Sequence, residues 1–184
     1  IIVGNDQSNK QWAKLFLREN LCWKTENNKI KIDSRIALWP QGSGIQLNEE
    51  GIDLIVHECK KRPNSLLLID TLRSVTSQMG LDENKTEISS PIRKLQDATA
   101  DLGVTGVMLH HTTKSVYGGN AVIASSGSAA IPAAFDQTIL MNWLKQNADQ
   151  STQTDKRIAI SCMGRGASST IVAELTDNKW ISHG

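Results

Sequence analysis

Two short apolar runs constrain this chain more than any other feature: Ser65 to Asp70, SLLLID, and Val104 to His111, VTGVMLHH. Between them lie a polar stretch and one amphipathic helical pattern. Strand, helix, strand in that order makes a βαβ unit, whose strands run parallel. Both runs read as strands buried on both faces. The first ends in a lone carboxylate and the second in imidazoles, each at the carboxyl end, where an open parallel sheet binds its ligands. A buried strand tipped by Asp suits a nucleotide-hydrolysing site, because the carboxylate orients Mg²⁺ and its waters beside the phosphates. The loop that holds those phosphates is missing: no G-x-x-x-x-G-K-[ST] occurs in the 184 residues.

The rest of the chain extends the alternation. Ile1 to Val3 reads as the tail of a buried strand, followed by the loop Gly4-Asn5-Asp6-Gln7. Opening inside a core strand is the expected mark of a fragment. Ser8 is positioned to cap a helix reaching about Asn20, with Trp12, Leu15 and Phe16 on one face. Asn27 to Ser34 reads as loop, and Ile36 to Trp39 as a short strand stopped by Pro40. Asn48 caps a helix to about Arg62 with the stripe Ile52, Ile55, Val56 and Cys59. Ser77 to Glu87 is polar loop. Ser90-Pro91 starts the next helix, Ile92, Leu95 and Leu102 line its buried face, and Gly103 ends it. Thr112 to Ser126 is rich in Gly and Ser. Four strand-like runs at hairpin spacing follow: Gln137–Leu144, Arg157–Cys162, Ser169–Leu175 and Lys179–Ser182. The expected fold is α/β: a mostly parallel sheet flanked by helices, with an antiparallel region at the C-terminal end.

Composition narrows the function classes. The length fits one domain over 1–184. The formal charge is +1, so composition alone makes no case for a nucleic-acid or membrane partner. Three scattered cysteines without a C-x-x-C indicate neither a zinc ribbon nor a disulfide framework, and free thiols fit a reducing cytoplasm. No apolar run is long enough to span a membrane.

Several side chains carry candidate chemistry. Asp70 either organises a metal and phosphates or caps the turn after its strand. His110 and His111, as neighbours on a strand, point to opposite faces and cannot chelate one metal together; one of them is placed to meet a γ-phosphate. Asp6 either polarises an attacking water or forms an Asx turn into the Ser8 cap. Among the cations, Arg73 and Lys114 stand near the two apolar runs. Arg165 sits in the tight turn Met163-Gly164-Arg165-Gly166. Lys114 is placed to meet nucleotide or a DNA backbone, and Arg165 a neighbouring subunit's phosphate. Each also reads as a solvated surface charge.

IDTLRS, a polar loop containing DEN, a helix, and then GVMLHHTTKS resemble the RecA-fold ATPases of the RepA/DnaB replicative-helicase group. The likeness runs from Ile1 to about Leu144. It implies a RecA-like core, a hexameric ring, and ATP with Mg²⁺ bound between subunits. By that match Asp70 is the Walker B carboxylate and metal ligand. His111 senses the γ-phosphate, and Asp6 stands where the family places its catalytic Glu. Thr71 and Arg165 join the nucleotide-binding set, and Thr112 to Ser126, with Lys114, faces single-stranded DNA.

Three departures bear on activity. The first strand and phosphate loop are missing, as in an N-terminally truncated member. Asp6 is about one methylene shorter than Glu. Ser126 replaces an Arg that reaches the neighbouring subunit, a role left to Arg165 or lost. The expected protein is a helicase-like ATPase domain of DNA replication, inactive in this form. Its unpaired strand edges should drive dimerisation or other self-association. The alternatives are a non-hydrolysing assembly or DNA-binding subunit on the same scaffold, and a flavodoxin-like domain with an unrelated ligand.

Overall fold

The computed structural model describes residues 1–111, 128–145, 154–177 and 179–184. They fall into two compact units, Ile1–His110 and His111–Gly184. The Thr112 to Ser126 loop, with Lys114 and Ser126, lies outside the described residues. Among the described residues, no helix is long and apolar enough to cross a membrane.

The first unit is built on a four-stranded parallel sheet of β1 (Ile2–Gly4), β4 (Leu38–Pro40), β5 (Leu66–Ile69) and β6 (Thr105–Met108), in the order β4-β1-β5-β6. The chain moves from β1 to β4 in one direction and from β4 through β5 to β6 in the other. Right-handed crossovers therefore place α1 (Asn9–Arg18) on one face and α2 (Glu49–Lys61) and α4 (Ser89–Thr99) on the opposite face. α2 and α4 pack together there. Val3, Ile55, Cys59, Leu72, Val75, Ile88 and Ile92 are at most 1% exposed and form this core.

Ser8 and Asn48 cap α1 and α2 as their positions predict. Ser8 accepts from the backbone N–H of Gln11, whose side chain accepts from Ser8 N–H in return. Asn48 Oδ1 accepts from Gly51 N at 2.9 Å.

Four expectations are corrected. The 27–34 stretch is not all loop: β2 (Cys22–Lys24) and β3 (Ile30–Ile32) form an antiparallel hairpin. Cys22 packs with Trp12 and Phe16 of α1, and Ile32 lies against them, so burial of one side holds the pair in place. The fourth helix starts at Ser89, not with Ser90 as cap. A 3₁₀ turn, Thr86–Ile88, leads directly into it, and Pro91 sits in its first turn, where a missing N–H costs no hydrogen bond. A five-residue helix, α3 (Leu72–Thr76), follows β5 directly, just before the polar loop. Finally, neither β5 nor β6 is buried on both faces: in β5, Leu67 and Ile69 are 2% exposed but Leu66 is 55% exposed. β6 is the more open of the two. It ends the sheet, and Val107 and Leu109 are each 44% exposed. It also stops at Met108, so His110 and His111 lie beyond the strand and the opposite-face argument does not apply to them.

The second unit is an antiparallel sheet of β7 (Gln137–Trp143), β8 (Arg157–Gly164), β9 (Ser169–Thr176) and β10 (Lys179–Ser182), in the order β10-β9-β8-β7. This matches the hairpin spacing. A Cβ on Gly164 would stand 2.1 Å from Asp136 O, so the end of β8 closes against the start of β7 only with glycine there.

Candidate functional site

The carboxyl ends of β1 and β5 lie side by side, joined by Asp70 N–H donating to Val3 O at 2.8 Å. Each strand ends in a turn that projects acidic and amide side chains. After β1, Gln7 N–H donates back to Gly4 O at 3.2 Å, which folds Asn5-Asp6-Gln7 into a tight loop. After β5, Thr71 caps α3. The Asp70–Thr71 peptide bond is cis.

Two crossed hydrogen bonds tie these turns together. The Thr71 hydroxyl donates to Asp6 Oδ2 at 2.8 Å, and Gln7 Nε2 donates to Asp70 Oδ2 at 3.1 Å. Each carboxylate is thus held by a polar neighbour from the other strand's loop. Thr71 itself is 6% exposed. Its N–H donates to Ser74 Oγ at 2.9 Å, and its hydroxyl accepts from Ser74 N–H at 3.4 Å, a reciprocal cap that directs the hydroxyl proton toward Asp6. Asp70 is half-buried and Asp6 is exposed.

An outer set of polar contacts fixes the loops. Asn5 Nδ2 donates to Ile45 O at 2.7 Å, Asn5 Oδ1 accepts from Ser43 Oγ at 3.1 Å, and Gln41 N–H donates to Gln7 O at 2.9 Å. Gln46, 7% exposed, donates to Ser74 O at 3.0 Å and accepts from Gln78 N–H at 3.1 Å. Behind the turn, Trp12 Nε1 donates to Gly4 O at 3.3 Å. The residues that sequence reasoning missed are Asn5, Gln46 and Ser74. Ser74 alone left a signal, its place three residues after a Thr at a strand end.

Of the expected site residues, the structure brings together Asp6, Asp70 and Thr71. The register Ile69↔Met108 continues to Asp70 beside Leu109, so the His110 end of β6 is level with this site. Leu109 O accepts from Leu72 N–H at 2.9 Å. His111 is exposed and is the first residue of the second unit. Arg165 also belongs to that unit, where its guanidinium pairs with Asp136 at 3.0 Å on the surface. Arg73, 73% exposed, stands 3.9 Å from Glu83.

The donors at the site are hard oxygens: two carboxylates and a hydroxyl. That set suits Mg²⁺, which takes one or two carboxylates and completes its shell with water and phosphate. Among the described residues, no three His, Cys, Asp or Glu converge to hold a metal by protein ligands alone. The phosphates fit less well, because the sequence contains no glycine-rich loop with a Lys to cradle them. A cleft of about 430 Å³ near the N-termini of α2 and α4, floored by Leu47 and Pro91, includes neither Asp6 nor Asp70.

No protein-family model matches the sequence, and no curated protein matches it. Among solved structures, the chain is similar to a KaiC-like protein from the hyperthermophilic archaeon Pyrococcus horikoshii. The TM-score is 0.55 at 11% identity, covering 100% of this chain and 75% of that one. With the parallel sheet, its flanking helices and the antiparallel C-terminal sheet, this likeness gives the chain a RecA-like α/β fold.

Proposed function

We propose that this chain is the core of a RecA-type nucleoside triphosphatase that binds Mg·ATP at the carboxyl ends of β1 and β5. The observation that carries the reading is the crossed pair of hydrogen bonds, Thr71 to Asp6 and Gln7 to Asp70. It presents two carboxylates in fixed relation at the edge where such a sheet binds ligand. Bound Mg²⁺ would neutralise charge on the phosphates. Asp70 is the residue to hold it, directly or through water. Asp6 is the residue to orient the attacking water, and Thr71 steers the Asp6 carboxylate. His111 is proposed to contact the γ-phosphate, Arg165 a nucleotide held by a neighbouring subunit, and Lys114 single-stranded DNA. The setting proposed is a DNA transaction of the helicase type in the cytoplasm, carried out by a self-associated protein.

Without a phosphate cradle, the chain by itself is expected to turn over ATP poorly. The test is binding of a fluorescent ATP analogue, with and without Mg²⁺, to the chain. Mg²⁺-dependent binding that Asp70→Asn removes supports the reading. No Mg²⁺-dependent binding overturns it. A second reading is a non-hydrolysing assembly or DNA-binding subunit. The missing phosphate loop and the shorter acid at Asp6 favour it. It predicts self-association with no Mg²⁺-dependent binding of the ATP analogue.

A further inference from the structure

The β2–β3 hairpin has two sides with different demands. Its inner side needs apolar residues, because Cys22 and Ile32 close the cluster around Trp12 and Phe16. Its outer side is turned away from that cluster. Trp23 stands there, 48% exposed, directly across from Lys31, whose Nζ lies 5.9 Å from the ring centroid. That contact occupies one ring face.

The register continues to Thr25 and Lys29, so Lys29 shares the outer side with Trp23 and Lys31. The tip is rigid. Thr25 N–H donates to Lys29 O at 2.8 Å, Lys29 N–H donates to Thr25 Oγ1 at 3.2 Å, and Asn28 takes the left-handed turn conformation at φ 56°. Two acids lie nearby. Asp33 is paired with Arg35 at 2.7 Å, and Glu26 sits at the tip. Lys29 and Lys31 are both exposed, and among the described residues neither forms an ion pair.

We propose that this outer face, Trp23 with Lys29 and Lys31, is a contact site for single-stranded nucleic acid. A base stacks on the open face of the Trp23 indole, and the two ammonium groups meet the flanking phosphates. Stacking on an aromatic beside cations is how sequence-tolerant single-strand binders work. One ring flanked by two ammonium groups matches the alternation of base and phosphate along a single strand. The site is separate from the Asp70 carboxylates and does not depend on them. Asp70→Asn should leave it intact.

The test is fluorescence anisotropy of a labelled oligothymidylate titrated with the chain at several salt concentrations. Binding that weakens with salt is expected. Trp23→Ala should weaken it about tenfold, and Trp23→Phe should retain most of it. Lys29→Gln and Lys31→Gln should each flatten the salt dependence, by about 0.7 in logarithmic slope. The exposed Trp180 of the second unit serves as control, and Trp180→Ala should change nothing. The double reversal Lys29→Glu/Lys31→Glu sits at solvated positions and tests the face even if Trp23→Ala fails to fold. Read in a Lys114→Gln background, which removes the other proposed single-strand contact, it should abolish binding. The proposal is overturned by no binding, by binding that survives the double reversal in that background, or by polyglutamate binding as tightly with the same dependence on Trp23.

Discussion

Gly4 has no room for a methyl group. A Cβ there would stand 2.4 Å from Trp12 Cζ2, inside the indole that backs the β1 turn. Gly4→Ala should cost about 1–3 kcal/mol, as overpacking does in a tight core. Urea denaturation would measure it, and an unchanged midpoint would sink the argument. At the site, Thr71→Val removes the hydroxyl that reaches Asp6 while keeping the side-chain shape. It should release the Asp6 carboxylate and loosen the α3 cap, costing about 1 kcal/mol. Thr71→Ser should restore both, and the two variants compared by thermal unfolding make the check. The Arg35 guanidinium and N–H beside Asp33 hold its carboxyl down at about 2, well below its ordinary 3.8. A depressed folded pKa contributes stability above the unfolded value, and that contribution is lost as pH falls through the folded one. The Asp33 carbon signal in NMR should therefore titrate near pH 2, and Arg35→Gln should return it toward the ordinary range. At this scale the sequence exposed Asp70 clearly, because an acid ending an apolar run stands out. It did not expose Asn5 or Gln46, because amides on loops carry no periodic signal.

Local chain chemistry decides most element boundaries. Asn48→Ala removes the acceptor for Gly51 N–H and should cost about 1 kcal/mol. Gly51 should tolerate nothing larger, since a Cβ there would meet Gln46 O at 1.8 Å. Circular dichroism during thermal unfolding would measure both. Both caps were legible because Ser8 and Asn48 precede amphipathic runs. The hairpin was not. Each of its strands has three residues, too few for periodicity to show, and its stability comes from Cys22 and Ile32 meeting a helix. Likewise α4 begins two residues early, because a 3₁₀ turn feeds it and Pro91 is tolerated anywhere in the first turn.

The order β4-β1-β5-β6 leaves β6 at the end of its sheet with Val107 and Leu109 exposed. An apolar strand edge is a template for pairing. Sedimentation velocity should show association that rises with concentration and that Val107→Lys reduces; a monomer throughout would refute it. The apolar run alone could not announce this, since a strand buried on two faces and one at an edge share the same residue types. By itself the sequence determined the alternation of strands and helices, the two clean helix caps, and an acid at the carboxyl end of β5. These follow from backbone preferences and burial among residues a few positions apart. Only the tertiary structure decided that β1 lies between β4 and β5, that β6 ends the sheet, and that Asp6 meets Thr71 while Gln7 meets Asp70. Those pairs join residues 65 and 63 positions apart. Lateral strand order brings them together, and lateral order is set by the packing of whole elements rather than by any local pattern.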